Sequence, residues 1–443
     1  MGAGDKEKKL IPKPAIFFKR YAREIRFAVA GLVIVLTLLF ITNDYIDFSI
    51  NDALDGDSDS VNTERAVNKK ESQFGGDLAS PYSDFQPSDA SISKRSDDYV
   101  MPFTDISQKV VHPEDDGVRE KATMVTLVRN TDLWELVKSI RHVEDRFNNR
   151  YHYDWVFLND VEFTEEFKRV TSALTSGNTK YGLIPSDQWS VPSWIDRDKM
   201  REGMKFLVKE EVLYADSIPY RHMCRYHSGF FWRHPLLDEY DYFWRVDHDI
   251  TLYCDIQYDI FKFLRVNNKK IGFILSVTDY EQTIPTLWST VLSFFSEFPE
   301  HLNKNNLMNF ISDDGGTTYN RCHFWSNFEI GSLEFFRSKA YRDYFDYLDK
   351  AGGFFYERWG DAPVHSVAAA TILDRSEIHF FDGLGFHHPN YFSCPVEEKI
   401  RLQNKCICDP SVDDTWREHY FCTKKYFKAA NLMIPVGAQS KTW

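Results

Sequence analysis

The apolar positions of this chain fall into stretches of different rhythm. From Phe27 to Asn43 (FAVAGLVIVLTLLFITN) no residue is charged, and Lys6, Lys8, Lys9, Lys13, Lys19, Arg20, Arg23 and Arg26 precede the run. An unbroken apolar segment behind basic residues predicts a membrane anchor with its basic flank in the cytosol. A cleaved signal peptide is the competing reading, but no small-residue cleavage pattern follows Phe40. The run is slightly short for a thick plasma membrane and fits the thinner bilayers of the early secretory pathway. Residues 44–115 have no sustained period and are rich in Asp, Ser, Asn, Lys and Glu, as in Asn51 to Ser60. Such a stretch buries too little apolar surface to offset its ordering entropy and predicts a flexible stem. The division expected is a cytosolic tail (1–26), an anchor (27–43), a lumenal stem (44–115) and a folded domain (116–443) with no internal repeat.

Inside that domain the rhythm becomes regular. Met124 to Val128 is a short apolar run, and Leu133, Leu136, Val137, Ile140, Val143 and Phe147 then recur at helical spacing. Trp155 to Leu158 reads as a second strand closed by Asn159-Asp160, and Tyr242 to Val246 as a further one. Strands alternating with amphipathic helices predict an α/β domain with a mixed, mainly parallel sheet that binds its ligand at the carboxyl ends of its strands. About 330 residues is large for one core but common for a single α/β enzyme domain.

Composition narrows the partners. Beyond residue 43 there remain 45 Lys and Arg against 63 Asp and Glu, a balance that excludes binding driven by phosphate neutralisation on nucleic acid. All seven Cys lie beyond the stem, where an oxidising lumen favours disulfides. Their odd number leaves at least one thiol outside an internal pair. Cys406-Ile407-Cys408 has a second reading as part of a zinc site, although its one-residue gap is tighter than the usual spacing. No Asn-x-Ser/Thr sequon occurs, so N-glycans are not expected on the chain itself.

Candidate chemistry sits at predicted strand ends. Arg129-Asn130 follows the first strand, where Arg129 is read either as a nucleotide contact, by stacking or a phosphate fork, or as a solvated loop residue. The strand Tyr242 to Val246 runs directly into Asp247-His248-Asp249. Alternate acids there suit a metal-dependent nucleotide-sugar transferase, because Mn²⁺ or Mg²⁺ takes hard oxygen ligands and bridges them to a diphosphate. Near the C-terminal end stand Cys322-His323-Phe324-Trp325-Ser326-Asn327-Phe328-Glu329-Ile330-Gly331, Tyr356-Glu357-Arg358-Trp359-Gly360-Asp361-Ala362-Pro363 and Gly385-Phe386-His387-His388-Pro389. Each sets an acid or His among aromatics and glycines, a composition suited to a sugar site.

Together with Leu127 to Asn130, Tyr220 to Tyr226, Phe230 to Pro235 and Tyr253 to Ile256, these runs resemble the fungal Golgi α-1,2-mannosyltransferase family over roughly residues 120 to 400. The resemblance implies a GT-A-type Rossmann-like domain, a type II Golgi membrane protein with a lumenal catalytic domain, GDP-mannose as donor and Mn²⁺ as cofactor. It implies mannose transfer with retention onto mannosides of N-linked or O-linked glycans, for glycoprotein and cell-wall mannan synthesis. Residue by residue it makes Glu329 the nucleophile, Asp361 an active-site carboxylate near the acceptor, His388 a metal ligand and Tyr220 a ring beside the sugar. Arg245 is expected with Arg129 and Tyr220 among the nucleotide or substrate contacts, and Asp247 and Asp249 with His388 at the metal. One departure stands out: the family has Glu-Pro where this chain has Asp247-His248, so His248 or Asp249 compensates or water intervenes.

The chemistry also follows from residue types. A carboxylate beneath the anomeric carbon supports retention through a covalent or an oxocarbenium-like state, by analogy with retaining glycosidases. The acceptor base is Asp361 or the leaving phosphate. Each residue has a plainer reading too: Glu329 as a buried acid bonded to backbone, His388 as a structural imidazole, Asp361 as the cap of a helix over Val364 to Ala370. Two other functions remain open, mannosyl-phosphate transfer on the same scaffold and a non-catalytic glycan-binding relative.

Overall fold

In a computed structural model that describes residues 99–417 and 419–439, the first apolar run forms β1 (Ala122–Leu127) and the second β2 (Asp154–Asn159). Chain order continues with β3 (Thr179–Leu183), β4 (Tyr242–Val246), β5 (Thr251–Leu252), β6 (Ile271–Phe273), β7 (Ser276–Thr278) and β8 (Cys322–Phe324). It ends with β9 (Phe328–Ser332), β10 (Ile378–Phe380), β11 (Phe386–His388) and β12 (Tyr391–Ser393). Seven of these make the main sheet in the order β10-β6-β9-β4-β1-β2-β3. Only β9 runs against its neighbours, so the sheet is mixed and mainly parallel, as predicted.

The central strands are apolar on both faces because helices cover both. Met124, Trp155, Phe157, Trp244, Phe328 and Ile330 pack on the side of the helix Leu133–Val143, whose Leu133, Leu136, Ile140 and Val143 are buried at the spacing read from the sequence. Val125, Val156, Leu158 and Phe243 point to the other side. There they meet Tyr226 of the helix Ile218–Gly229, Tyr341 and Tyr344 of the helix Lys339–Ala351, and Val364 and Val367 of the helix Asp361–Ile372.

Two features position the site. The strand β9 enters beside the carboxyl end of β4 in antiparallel register, Val246 opposite Phe328 and Arg245 opposite Glu329. In a small second sheet β11 pairs antiparallel with β5, His387 opposite Thr251, which carries His388 back to the acids that follow β4.

Three disulfides, Cys254–Cys406, Cys322–Cys422 and Cys394–Cys408, tie the C-terminal segment to these strands, and the free Cys224 is buried. The thiols of Cys406 and Cys408 go to different partners, which removes the zinc reading.

The folded unit begins earlier than residue 116. A helix over Phe103–Ser107 buries Thr104 and Asp105. Phe103 N donates to Glu397 (2.7 Å), Thr104 Oγ1 to Asp382 (3.2 Å), and Gln108 clasps the backbone of Phe380. Residues 99–115, placed in the stem by composition, thus pack onto the domain through side-chain to backbone bonds that leave no apolar period. The tail, the anchor and the stem up to residue 98 lie outside the described residues. No helix among the described residues is long and apolar enough to cross a membrane.

Candidate active site at the carboxyl end of the sheet

Side chains on one face of a strand recur every second residue, so Arg245 and Asp247 leave β4 toward the same side. The guanidinium of Arg245 folds back on Asp247, Nε donating to Oδ1 (2.9 Å) and Nη2 to Oδ2 (3.1 Å). Its Nη1 donates to Asp361 Oδ2 (2.6 Å) and Ser326 Oγ (3.2 Å), and the Ser326 hydroxyl donates to the same Asp361 oxygen (2.7 Å). All are buried or nearly so. Burial alone would push both carboxyls up; the charge of Arg245 reverses this, lowering Asp247 and holding Asp361 well below the usual carboxylate range. Burial would lower Arg245 itself, and Asp247 and Asp361 instead push it up.

The structure therefore changes two expected roles. Arg245, expected at the nucleotide or substrate, has its fork filled by two carboxylates and a hydroxyl. Asp361, a candidate base, is too firmly ionised to take a proton efficiently, since a good base has a pKa near the working pH. Nor is Asp361 a side-chain cap. The helix Asp361–Ile372 has Gly360 at its N-cap, Asp361 is its first residue, and the carboxylate turns to Arg245.

One helical turn further, His365 faces Glu329. Its Nδ1 lies 2.8 and 3.1 Å from the two Glu329 oxygens, and its Nε2 lies 3.0 Å from the carbonyl oxygen of His227. Only a protonated imidazole donates on both sides. Burial opposes that charge, but Glu329, by its charge and its hydrogen bond, raises the His365 pKa above the ordinary value. His227 is the reverse case, driven by burial and the nearby Arg245 down to about 3 and hence neutral. Glu329 is 5% exposed and lines a recess shared with Phe324, Trp325, Ser326, His365 and Ser366. That recess has room for about one water, not for the hexose that sequence reasoning set against Glu329.

Two residues before Glu329, Asn327 joins this network to the other His. Its Nδ2 donates to Asp247 Oδ2 (2.8 Å) and lies 3.0 Å from His388 Nε2. An amide nitrogen approaching Nε2 donates to it, so that nitrogen presents a lone pair. Asp249 Oδ1 lies 3.0 Å from the same Nε2, yet it is buried and accepts no hydrogen bond. A ring nitrogen and a carboxylate oxygen thus stand side by side, a donor set that suits a divalent cation. An octahedral divalent ion with bonds of about 2.1 Å sets neighbouring ligands about 3.0 Å apart, so the pair fits Mn²⁺ or Mg²⁺. Among the described residues no set of three His, Cys, Asp or Glu side chains is placed to hold a metal. Two protein ligands leave positions for water and diphosphate oxygens, the usual habit of such ions at nucleotides.

Asp247, expected as a ligand, stands one hydrogen bond behind this pair, both of its oxygens engaged by Arg245 and Asn327. Of the two residues that sequence reasoning offered in compensation, the structure brings Asp249 to His388; His248 instead points toward Glu135, 3.6 Å away. Tyr220 is held between Tyr214 (ring centroids 4.6 Å, stacked) and Arg358 (5.1 Å). Arg129 follows β1 as read, its side chain 72% exposed and paired with Asp132. Sequence reasoning missed Ser326, Asn327, His227 and His365. The one signal for His365 is its spacing, four residues after Asp361 on the same helix face.

A family model for glycolipid 2-α-mannosyltransferases matches residues 82–431. A probable mannosyltransferase of Saccharomyces cerevisiae, KTR3, is 61% identical over 432 residues, 97% of this chain and 98% of its own. The α-1,2 mannosyltransferase KTR1 of the same yeast is 58% identical over 75% of this chain and 84% of its own. Among solved structures, core-mannan synthase A (CmsA/Ktr4) of Aspergillus fumigatus in a Mn/GDP form superposes with a TM-score of 0.67 at 38% identity, covering 71% of this chain and 87% of that one. The mannosyltransferase Ktr4p of S. cerevisiae in complex with GDP does so with a TM-score of 0.67 at 35% identity, covering 75% and 87%. The fold is accordingly GT-A-like, and the chain belongs to the glycolipid 2-α-mannosyltransferase family of glycosyltransferases.

Proposed function

We propose that this protein is a retaining α-1,2-mannosyltransferase that moves mannose from GDP-mannose to mannosides of N-linked or O-linked glycans, using Mn²⁺. The observation that carries the reading is the pair of lone-pair donors, His388 Nε2 and Asp249 Oδ1, 3.0 Å apart with no hydrogen bond between them at the carboxyl end of the sheet. Relatives named as mannosyltransferases and a neighbour solved with Mn and GDP support it. His388 and Asp249 would hold the ion, with Asp247 positioning His388 through Asn327. A divalent ion there neutralises charge on the departing diphosphate.

Glu329 is the anionic group that steadies positive charge on the sugar. Its pairing with His365 fixes the carboxylate beside Trp325 and Ser326 of the turn 325–327, and from there its charge acts on the sugar across that turn. The Arg245–Asp361 pair holds that turn through Ser326. The leaving phosphate, not Asp361, takes the proton of the acceptor hydroxyl. The segment 27–43 anchors the chain in the Golgi membrane with this domain in the lumen, a placement in keeping with three disulfides.

Purified protein incubated with GDP-mannose, Mn²⁺ and an α-mannoside is expected to give an α-1,2-linked product without phosphate. Glu329→Gln is expected to reduce turnover by about a hundredfold or more, the scale of losing one charge-stabilising group, while GDP affinity stays within about twofold. A variant that keeps over half its activity removes Glu329 from the mechanism, and phosphate in the product replaces sugar transfer by sugar-phosphate transfer.

A further inference from the structure

Two of the buried arginines have acids to meet, Arg245 as described and Arg225 with Asp349 (2.7 and 2.8 Å). Two do not. Arg221, in the first turn of the helix Ile218–Gly229, has 0% exposure, and its Nε and Nη2 have no partner. Its Nη1 reaches only the carbonyls of Ser217 (3.1 Å) and Tyr214 (3.5 Å). Arg358 is 6% exposed, its Nε is likewise unpartnered, and its guanidinium lies over the ring of Tyr220. A cation–π contact offsets part of a desolvated charge, not all of it.

Burial and the neighbouring charge of Arg358 push Arg221 down to about 10. The carboxylates whose fields reach this corner, Asp216, Asp279 and Asp361, form no ion pair with either among the described residues. Two desolvated cations side by side with free N–H groups are expensive to maintain and complementary to one oxyanion. The loop before the helix borders this corner, its Tyr214 and Ser217 carbonyls accepting from Arg221. Its Glu211 and Tyr214 have φ of 56° and 60°, conformations that residues with a Cβ reach only with strain. The Tyr214 ring, half exposed, rests on Tyr220.

We propose that Arg221 and Arg358 form an oxyanion site that binds a phosphate group in the corner next to Asp361, separate from the His388–Asp249 pair. A phosphate arrives there from one of two sources, the diphosphate of the nucleotide or a phosphomonoester on the acceptor glycan. The choice between sources rests on the proposed transfer reaction; the existence of the site does not.

The test begins with the full-length protein in detergent, metal removed with EDTA, titrated calorimetrically with inorganic phosphate. Saturable binding is expected, weakened about tenfold or more by Arg358→Gln and largely retained in Arg358→Lys, as for a charge-assisted contact. Arg221→Met is expected to weaken it similarly, with a melting curve to verify folding; Arg358→Gln carries the test alone if that variant does not fold. Absence of saturable phosphate binding, or equal affinity in wild type and Arg358→Gln, overturns the proposal and leaves mannosyl transfer untouched, because neither metal nor donor is present. Two further arms identify the source. Weaker GDP binding by Arg358→Gln with guanosine binding unchanged assigns the site to the diphosphate. A raised KM for an acceptor carrying a phosphomonoester, with KM for the neutral acceptor unchanged, assigns it to the acceptor. No change in either arm overturns a role in the reaction.

Discussion

Two groups of charged side chains meet at the carboxyl end of β4, and they are finished to different degrees. In one, Arg245 joins Asp247, Asp361 and Ser326, and His365 joins Glu329 to the His227 carbonyl, so nearly every donor has an acceptor. In the other, Asp249 Oδ1 and His388 Nδ1 are buried without hydrogen-bond partners, and Nε2 lies 3.0 Å from Asp249 Oδ1. Asn327 joins the two groups, donating to Asp247 and lying 3.0 Å from His388 Nε2. Burial makes unmet polar groups costly, so a set completed from within holds a shape, whereas a set left incomplete is completed by something that binds. The difference separates groups that await a ligand from groups, Glu329 among them, that are already held in place.

The severest way to break the comparison is to empty the completed set of its cation. Arg245→Met leaves Asp247 and Asp361 buried without their counter-charge, a loss on the scale of about 3–5 kcal/mol for breaking a buried pair. Chemical denaturation is the measurement, and activity should disappear with the fold. Full stability in Arg245→Met would mean that the network is ornament and that Arg245 belongs at the substrate after all.

The incomplete set should answer in the opposite sense. In His388→Ala, stability is expected to change by less than about 1 kcal/mol, because removing a group with unmet contacts relieves as much as it loses. Activity should fall, and the Mn²⁺ concentration for half activity should rise by about tenfold or more, as for a lost ligand. An unchanged Mn²⁺ titration would move the ion elsewhere.

Much of the scaffold was legible in the sequence and much of the network was not. The strands β1, β2 and β4 and the helix Leu133–Val143 are long enough to display a period, and each lies where it was read. By contrast β5 has two residues, and β6, β7, β8, β10, β11 and β12 have three each. Elements this short show no period. They hold position through neighbours and disulfides whose partners lie up to 152 residues apart. The site divides similarly. Asp249 was readable as a candidate metal ligand from residue type and strand-end position, and His388 only through the family resemblance. Arg245 and Asp361 were readable as important, yet their pairing depends on a helix 116 residues downstream. His365 escaped notice because its partner Glu329 is 36 residues away.

A milder probe uses pH and separates His365 from the carboxylates. The His365 pKa is raised by Glu329 against the effect of burial, so its stabilisation is fully present below the unfolded value of 6.5 and is lost as pH rises through the higher folded value. Asp361 is lowered, so its contribution is present above its unfolded value of 3.8 and is lost only as pH falls through a folded value well below that. It is therefore constant across neutral pH. Buried neutral His227, His323 and His379 act in the opposite direction to His365, losing stability as pH falls through their unfolded value. The informative quantity is thus the difference in melting temperature between wild type and His365→Gln, which should shrink as pH rises above 6.5. A difference independent of pH would make His365 a neutral spacer and leave the Glu329 charge uncompensated.

The smallest expected effect falls outside both sets, at Arg129. Its ion pair with Asp132 is three residues long in sequence and its side chain is 72% exposed, a geometry that contributes little to stability because water already solvates the guanidinium end. Arg129→Ala should therefore change stability by less than about 0.5 kcal/mol. Its place after β1, at the end of the sheet where ligands bind, nevertheless sets it apart from other surface arginines. GDP affinity measured by calorimetry should fall by roughly fivefold, the scale of one partly exposed charged contact. The same variant should leave guanosine binding unchanged if the guanidinium grips phosphate, and weaken it if the guanidinium stacks on the base. An Arg129→Ala protein that binds both ligands as wild type does would assign this residue to the solvated surface and take it out of nucleotide recognition.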